Sequence, residues 1–212
     1  GTMKNIAFIT AHPDDLEINA GGTVSRFIQQ DKKLLSVVCS LPEDEVIRNL
    51  RTDEAMNAAK LLGISNIEIL GFRDTKIFLS VDKLIRTIDE LVKINNIDTI
   101  FTHHPGDGHN DHKSTAEIAA AVARKIPNLI YFRPTAPSTN SGIPFNQNLV
   151  ISLTEADITA KMNALSCHYS QIEKYGRLDW VQRMHDIAVA DSWVYSGSHG
   201  YAEVFEISRL KL

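Results

Sequence analysis

Two rhythms of apolar and polar positions alternate along the chain. Short runs rich in β-branched and aromatic residues, at 6–10, 35–40, 66–70, 99–103, 129–132 and 149–153, have the length and texture of strands. Between the first five lie segments near 21–30, 46–62, 81–95 and 112–125 in which apolar residues recur at three- and four-residue steps, the period of a helix with one buried face. In the second of these Ala55, Ala58, Ala59 and Leu62 form the stripe, and Gly63 supplies the stop. Strands alternating with helices predict βαβ units and an α/β doubly wound, mainly parallel sheet with helices on both faces. After the sixth run come helices near 155–166 and 177–189 and a final strand at 202–207. The stretch PTAPSTNSGIPFNQN, 134–148, is full of turn residues and reads as a long surface loop, either a wall or lid of a substrate site or a plain connection.

Composition narrows the classes. A chain of 212 residues suits one domain, 1–212, with a substantial core. The formal charge of −4 supplies no basic field of the kind that binds phosphate backbones, so nucleic acid is not expected as a partner. No apolar run approaches the roughly 18 residues of a membrane span, and no basic region followed by an apolar one opens the chain, so a cytoplasmic protein is expected. Gly1 and Thr2, ahead of Met3, read as an expression scar. Cys39 and Cys167, far apart and in no metal spacing, read as free thiols.

The chemistry concentrates after two strands. IAFIT runs directly into AHPDDLEINAGGT, and the fourth strand runs into HHPGDGHNDH, which holds four of the eight histidines with Asp107 and Asp111 between them. Histidine and carboxylate together suit zinc and other borderline divalent ions, Fe(II) included. A catalytic zinc takes about three protein ligands and keeps one position open. His12 and Asp15, three residues apart on a turn, with His112 at a helix start, would complete such a set. Asp14 would then lie beside the ion without binding it, placed to take a proton from water. His109 faces either a developing oxyanion or the leaving amine, with Asp111 or another carboxylate holding its ring. Asp107 is assigned to substrate binding. The rival explanation of HPDD, a helix cap, would not require a second His/Asp cluster.

These motifs resemble the two signatures of the LmbE-like (PIG-L) N-deacetylase family, zinc hydrolases that remove acetyl from N-acetylglucosamine-type sugars. RTDEAMNAAKLLGI, LGFRDT, HYSQ and YAEVF, in that order, resemble its remaining landmarks, so the resemblance runs through most of the chain. It implies a Rossmann-like fold and the same metal ligands, base and His109 role. It adds Arg51 and Asp74 as contacts of the sugar, an N-acetylated amino sugar or glycoside as the small-molecule partner, and homo-oligomeric assembly. One departure is that many members read HPDDE, whereas here Leu16 follows Asp15 and Glu17 comes one place later; Glu17 is expected behind the ligands or as a helix N-terminal carboxylate.

Several alternatives stand at this level. The same ligands serve hydrolysis of another amide or a phosphate ester, and a non-catalytic sugar-binding module would keep the fold. Arg51 is equally a helix surface residue paired with Glu45 or Glu54. His103 is expected packed at its strand end and His104 in the crevice; His168 is either a site residue or a satisfied core histidine. Gly21 and Gly22 are expected to allow a tight turn and close helix packing, and Trp180 and Trp193 to be core or interface anchors.

Overall fold

The computed structural model describes residues 3–134, 143–176 and 178–211. Gly1, Thr2 and the 135–142 part of the predicted loop lie outside them.

Continuous apolar runs make strands buried on both faces. In β1 (Asn5–Thr10), Ile6, Ala7, Phe8 and Ile9 are all fully buried. With period two, Ala7 and Ile9 pack on one side of the sheet with Leu84, Ile88, Ile118 and Val122, and Ile6 and Phe8 on the other with Leu16, Val24, Ala58 and Ala164. The other strands are β2 (Lys33–Leu41), β3 (Ile67–Arg73), β4 (Thr99–Thr102), β5 (Asn128–Phe132), β6 (Leu149–Leu153) and β7 (Tyr201–Arg209). They form one sheet of order β3-β2-β1-β4-β5-β7-β6, in which β7 runs antiparallel to both neighbours and the rest are parallel. The expected doubly wound α/β architecture is what the chain adopts.

The helices are α1 (Asp15–Gln29), α2 (Glu45–Leu62), α3 (Val81–Ile94), α4 (Asn110–Val122), α5 (Glu155–Leu165), α6 (Tyr169–Lys174) and α7 (Leu178–Ser196). α2 ends at Gly63, whose φ of 82° closes the helix in the left-handed region as its position predicts. α1 differs from expectation, because it starts at Asp15 and not near residue 21. Its pattern was obscured by a kink at Ala20 (φ −146°, ψ 15°). The backbone groups freed there find side-chain partners from distant elements: Lys161 Nζ donates to Ile18 O (2.9 Å), and Gly22 N and Thr23 N donate to the Glu203 carboxylate (3.1 and 2.7 Å). Lys161 and Glu203 pair with each other at 2.7 Å. Gly21 and Gly22 therefore lie inside a helix and not in a turn, and the close packing expected of them is present. A Cβ on Gly22 would stand 2.3 Å from Leu153 Cδ1.

α6, too short to show a period, is absent from the sequence pattern. Of the predicted 134–148 loop, the described part runs back along β7: Asn146 N donates to Glu206 Oε2, and Ile207 N to Asn148 Oδ1, both at 2.6 Å. Among the described residues no helix is long and apolar enough to cross a membrane.

Candidate metal and catalytic site

β1 and β4 are neighbours, in register from Ile6 opposite Thr99 to Ile9 opposite Thr102, and the strand order reverses between them. The two histidine-rich stretches leave the carboxyl ends of these two strands side by side, where open α/β sheets bind ligands.

Three donors converge there. His12 Nδ1 lies 3.3 Å from His112 Nε2 and 3.3 Å from Asp15 Oδ2, and His112 Nε2 lies 3.3 Å from Asp15 Oδ1. A tetrahedral ion with donors about 2.0–2.1 Å away holds those donors about 3.3–3.4 Å apart. Each of these separations, taken to the nearer Asp15 oxygen, suits a small divalent cation, and all three residues line the same cavity. Two further His/Asp groupings, one of His12, His109 and Asp111 and one of His103, Asp107 and His112, each include a residue set back from the cavity wall: Asp111 in the first, His103 and Asp107 in the second.

The outward nitrogens of both imidazoles are held. His12 Nε2 lies 3.2 Å from Asp74 Oδ1 and 3.3 Å from Asp111 Oδ2, and His112 Nδ1 lies 3.0 Å from Asp107 Oδ2. Carboxylates in that position fix the ring's tautomer and strengthen the other nitrogen as a ligand. This corrects two expectations. Asp107, 1% exposed, is not at the substrate surface; it sits behind His112, and its other oxygen accepts from His109 N (2.9 Å). Asp111 does not hold the His109 ring, because its carboxylate is taken by Thr75 N (2.7 Å), Ile77 N (3.3 Å) and His12. It is Asp111's backbone N–H that donates to His109 Nδ1 (3.1 Å), making His109 the N-cap of α4.

Asp14 occupies the N-cap position of α1 without capping it. Its Oδ1 accepts from Arg51 Nη2 at 2.9 Å, and both side chains are buried in the cavity wall. The reading of HPDD as a capping cluster thus gives way to an ion pair. Arg51, expected either on the sugar or paired with Glu45 or Glu54, has Asp14 as its partner. Asp74 lines the cavity with its side chain 28% exposed.

Charge follows this geometry. Burial disfavours the His12 and His112 imidazoliums, yet the carboxylates of Asp15 and their other acidic neighbours raise both, His112 to about 9. Burial acts against the Asp15 carboxylate as well, but His112, His103 and His12 hold it well below the usual range. The cluster is thus built to hold positive charge. His109 is lowered by burial and by its histidine neighbours, and His103 is lowered chiefly by burial to about 4.

His103 is packed at its strand end, as expected, but with a role in the site that the pattern did not reveal: its ring stacks on His112 at 3.9 Å, and Nε2 lies 3.1 Å from Asp15 Oδ2. His104 turns away from the crevice, contrary to expectation. Its Nδ1 accepts from Gly106 N (2.9 Å), Nε2 lies 3.3 Å from Glu206, and its ring meets Tyr131 and Phe145. Fully buried His168 lies 3.2 Å from Glu17 Oε2 in the first turn of α1, so this pair braces the helix from behind. The cavity holds about 460 Å³ and is lined in addition by residues of α7 and β7, including Trp180. Lys161 and α7 contribute walls that no motif announced, and Glu203, within the YAEVF landmark, had no role assigned to it.

The de-N-acetylase (PIG-L) family model, described as GlcNAc-PI de-N-acetylase, matches residues 7–123. An uncharacterized deacetylase, YaiS, of Escherichia coli (strain K12) is 30% identical over 176 residues, covering 79% of this chain and 91% of that protein. A probable N-acetyl-alpha-D-glucosaminyl L-malate deacetylase 2 of Bacillus anthracis is 27% identical over 190 residues, covering 80% and 83%. Among solved structures, N,N'-diacetylchitobiose deacetylase from Pyrococcus horikoshii superposes with a TM-score of 0.78 at 20% identity, over 97% of this chain and 84% of that one. The family match contains both histidine clusters, and the similarity to the Escherichia coli deacetylase runs along most of both chains, so the protein belongs to the PIG-L (LmbE-like) family of de-N-acetylases.

Proposed function

We propose that the protein is a metal-dependent N-deacetylase that removes the acetyl group from an N-acetylglucosamine-type sugar or glycoside, with zinc, or alternatively Fe(II), on His12, Asp15 and His112. The observation that carries this reading is the approach of His12 Nδ1, His112 Nε2 and the two Asp15 carboxylate oxygens to within 3.3 Å of one another's residues, at a cavity also lined by Asp14. Relatives acting on acetylated glucosaminides support the choice of substrate. When bound, such a cation polarises the amide carbonyl and makes water nucleophilic near neutral pH. Asp14 takes the proton of the attacking water, and the Arg51 guanidinium holds Asp14 in place for that transfer. His109 accepts the Asp111 N–H on Nδ1, so its neutral ring carries the proton on Nε2; from there it donates to the oxygen that gains charge as water adds. The proton on Asp14 then passes to the departing amine, and acetate is released.

Acetate release from N-acetylglucosamine and its glycosides, with zinc or iron restored to metal-stripped protein, tests the proposal. Turnover that depends on the added ion is expected. No acetate from any acetylated sugar with either ion would overturn it.

A further inference from the structure

The cavity continues past the metal-ligand cluster into a lobe of different character. Trp180, Met184, Ile187 and Ala188 stand at helical spacing along one face of α7 and form one wall, and Ala202 and Val204 of β7 form another. Trp180 is only 8% exposed, packed among Leu165, Ile172 and Val181, so this wall rests on a formed core.

Three basic groups of the cavity are paired with carboxylates: Arg51 with Asp14 at 2.9 Å, Arg133 with Asp191 at 2.6 Å and Lys161 with Glu203 at 2.7 Å. The fourth, Lys174, is exposed, with Nζ 5.0 Å from the centre of the Tyr175 ring. An anionic substituent entering this lobe would lose its hydration and meet two arginines and Lys161, whose charge a carboxylate already balances; the exposed Lys174 offers a solvent-screened pairing worth little. A neutral apolar group would bury against the α7 stripe with no such loss. A volume of about 460 Å³ lies within the range of small-molecule sites.

We infer that this lobe receives the aglycone of the substrate, and that the aglycone is a neutral apolar group, aromatic or aliphatic. The inference rests on the deacetylase reading for the identity of the sugar but not for the character of the lobe. It assigns Trp180, Met184 and Ile187 as residues that determine specificity.

Binding and turnover test it separately. Methyl, hexyl and phenyl glucosaminides, the deacetylated products, and glucosamine 1-phosphate are titrated into zinc-loaded protein, with tryptophan fluorescence as the readout. The chain has two tryptophans, of which Trp180 lines the cavity while Trp193, 48% exposed, lies against His199. At about fourfold per buried methylene, Kd should tighten at least tenfold from methyl to hexyl, with phenyl on the tight side and the phosphate no tighter than methyl. Trp180→Phe should abolish the fluorescence change. Ile187→Asp, at a position 42% exposed and so compatible with folding, should lower the hexyl-to-methyl affinity ratio at least fivefold. Equal affinities across the series, or preference for the phosphate, would overturn the inference even where all the acetylated glycosides release acetate. Graded affinity without acetate release would uphold the lobe and overturn the deacetylase reading instead.

Discussion

Glu203→Gln is the sharpest test of how the fold supports the site. The carboxylate lies at the kink of α1, with Oε1 accepting from Lys161 Nζ (2.7 Å) and Gly22 N (3.1 Å) and Oε2 from Thr23 N (2.7 Å); both members of the ion pair are 4% exposed. An amide keeps the shape but offers one acceptor in place of two. If its oxygen stays toward Lys161 and Gly22, its NH₂ confronts the Thr23 N–H, and an unpaired buried donor costs about 1–3 kcal/mol. In either orientation Lys161 loses its counter-charge, and breaking a buried pair from one side costs about 3–5 kcal/mol. The two effects share one site and do not add in full, so a loss of about 3–5 kcal/mol is expected. At about 2–4 °C per kcal/mol for a chain of this size, the midpoint of thermal unfolding should fall by about 6–20 °C. Urea unfolding followed by circular dichroism measures the free energy, and an unchanged slope would show that the same surface unfolds. Adding Lys161→Met should restore part of the loss by removing the stranded charge. A loss below about 1 kcal/mol would refute the reasoning, since it is the size expected of an exposed pair.

Other substitutions separate roles within the site. Asp14→Asn should retain the metal, measured by elemental analysis, and lose about 10²–10⁴-fold in kcat as expected for a general base; wild-type turnover would remove Asp14 from that role. Asp15→Asn should instead weaken metal binding in a chelator competition. Asp107→Asn, which removes the carboxylate facing the outward nitrogen of His112 but keeps an acceptor for His109 N, should lower metal affinity by about 10–100-fold, and unchanged affinity would show that this support is dispensable. Burial pushes the Cys39 thiol up to about 12 and also raises that of the partly exposed Cys167. At pH 8 an alkylating reagent should therefore label Cys167 slowly and Cys39 only on unfolding. Because the folded Cys39 keeps its proton where the unfolded thiol, near 8.5, loses it, its contribution to stability is present below that pH and is lost as pH rises toward 12. Cys39→Ala should flatten that decline in alkaline unfolding curves.

Much of the architecture was written in local pattern. The run from Ile6 to Ile9, the stripe of α2 with its Gly63 stop, and the alternation of strands with helices predicted the doubly wound sheet, because strand and helix periods are properties of neighbouring residues. The two clusters HPDD and HHPGDGHNDH also named the donors that converge, since so many histidines and aspartates after two strands have little use in a core. α1 was misread where its regularity is broken. The Ala20 kink is stable only because Lys161 and Glu203, far along the chain, satisfy the backbone groups it frees.

Tertiary structure decided the rest. Residue types and spacing determined that His12, Asp15 and His112 belong together, but only the adjacency of β1 and β4 brings the first cluster within 3.3 Å of the second. Asp14, Asp107 and Asp111 are chemically equivalent in the sequence. Their different duties follow from which partner the packed elements place opposite each one: a guanidinium across from Asp14, the outer nitrogen of a histidine beside Asp107, and two backbone N–H groups with a second histidine around Asp111. The partner of Asp107 is five residues away on the same cluster, but those of Asp14 and Asp111 lie 34 to 99 residues away, so no local period encodes them; the sheet order and the packing of α2, α4 and the loop after β3 select them.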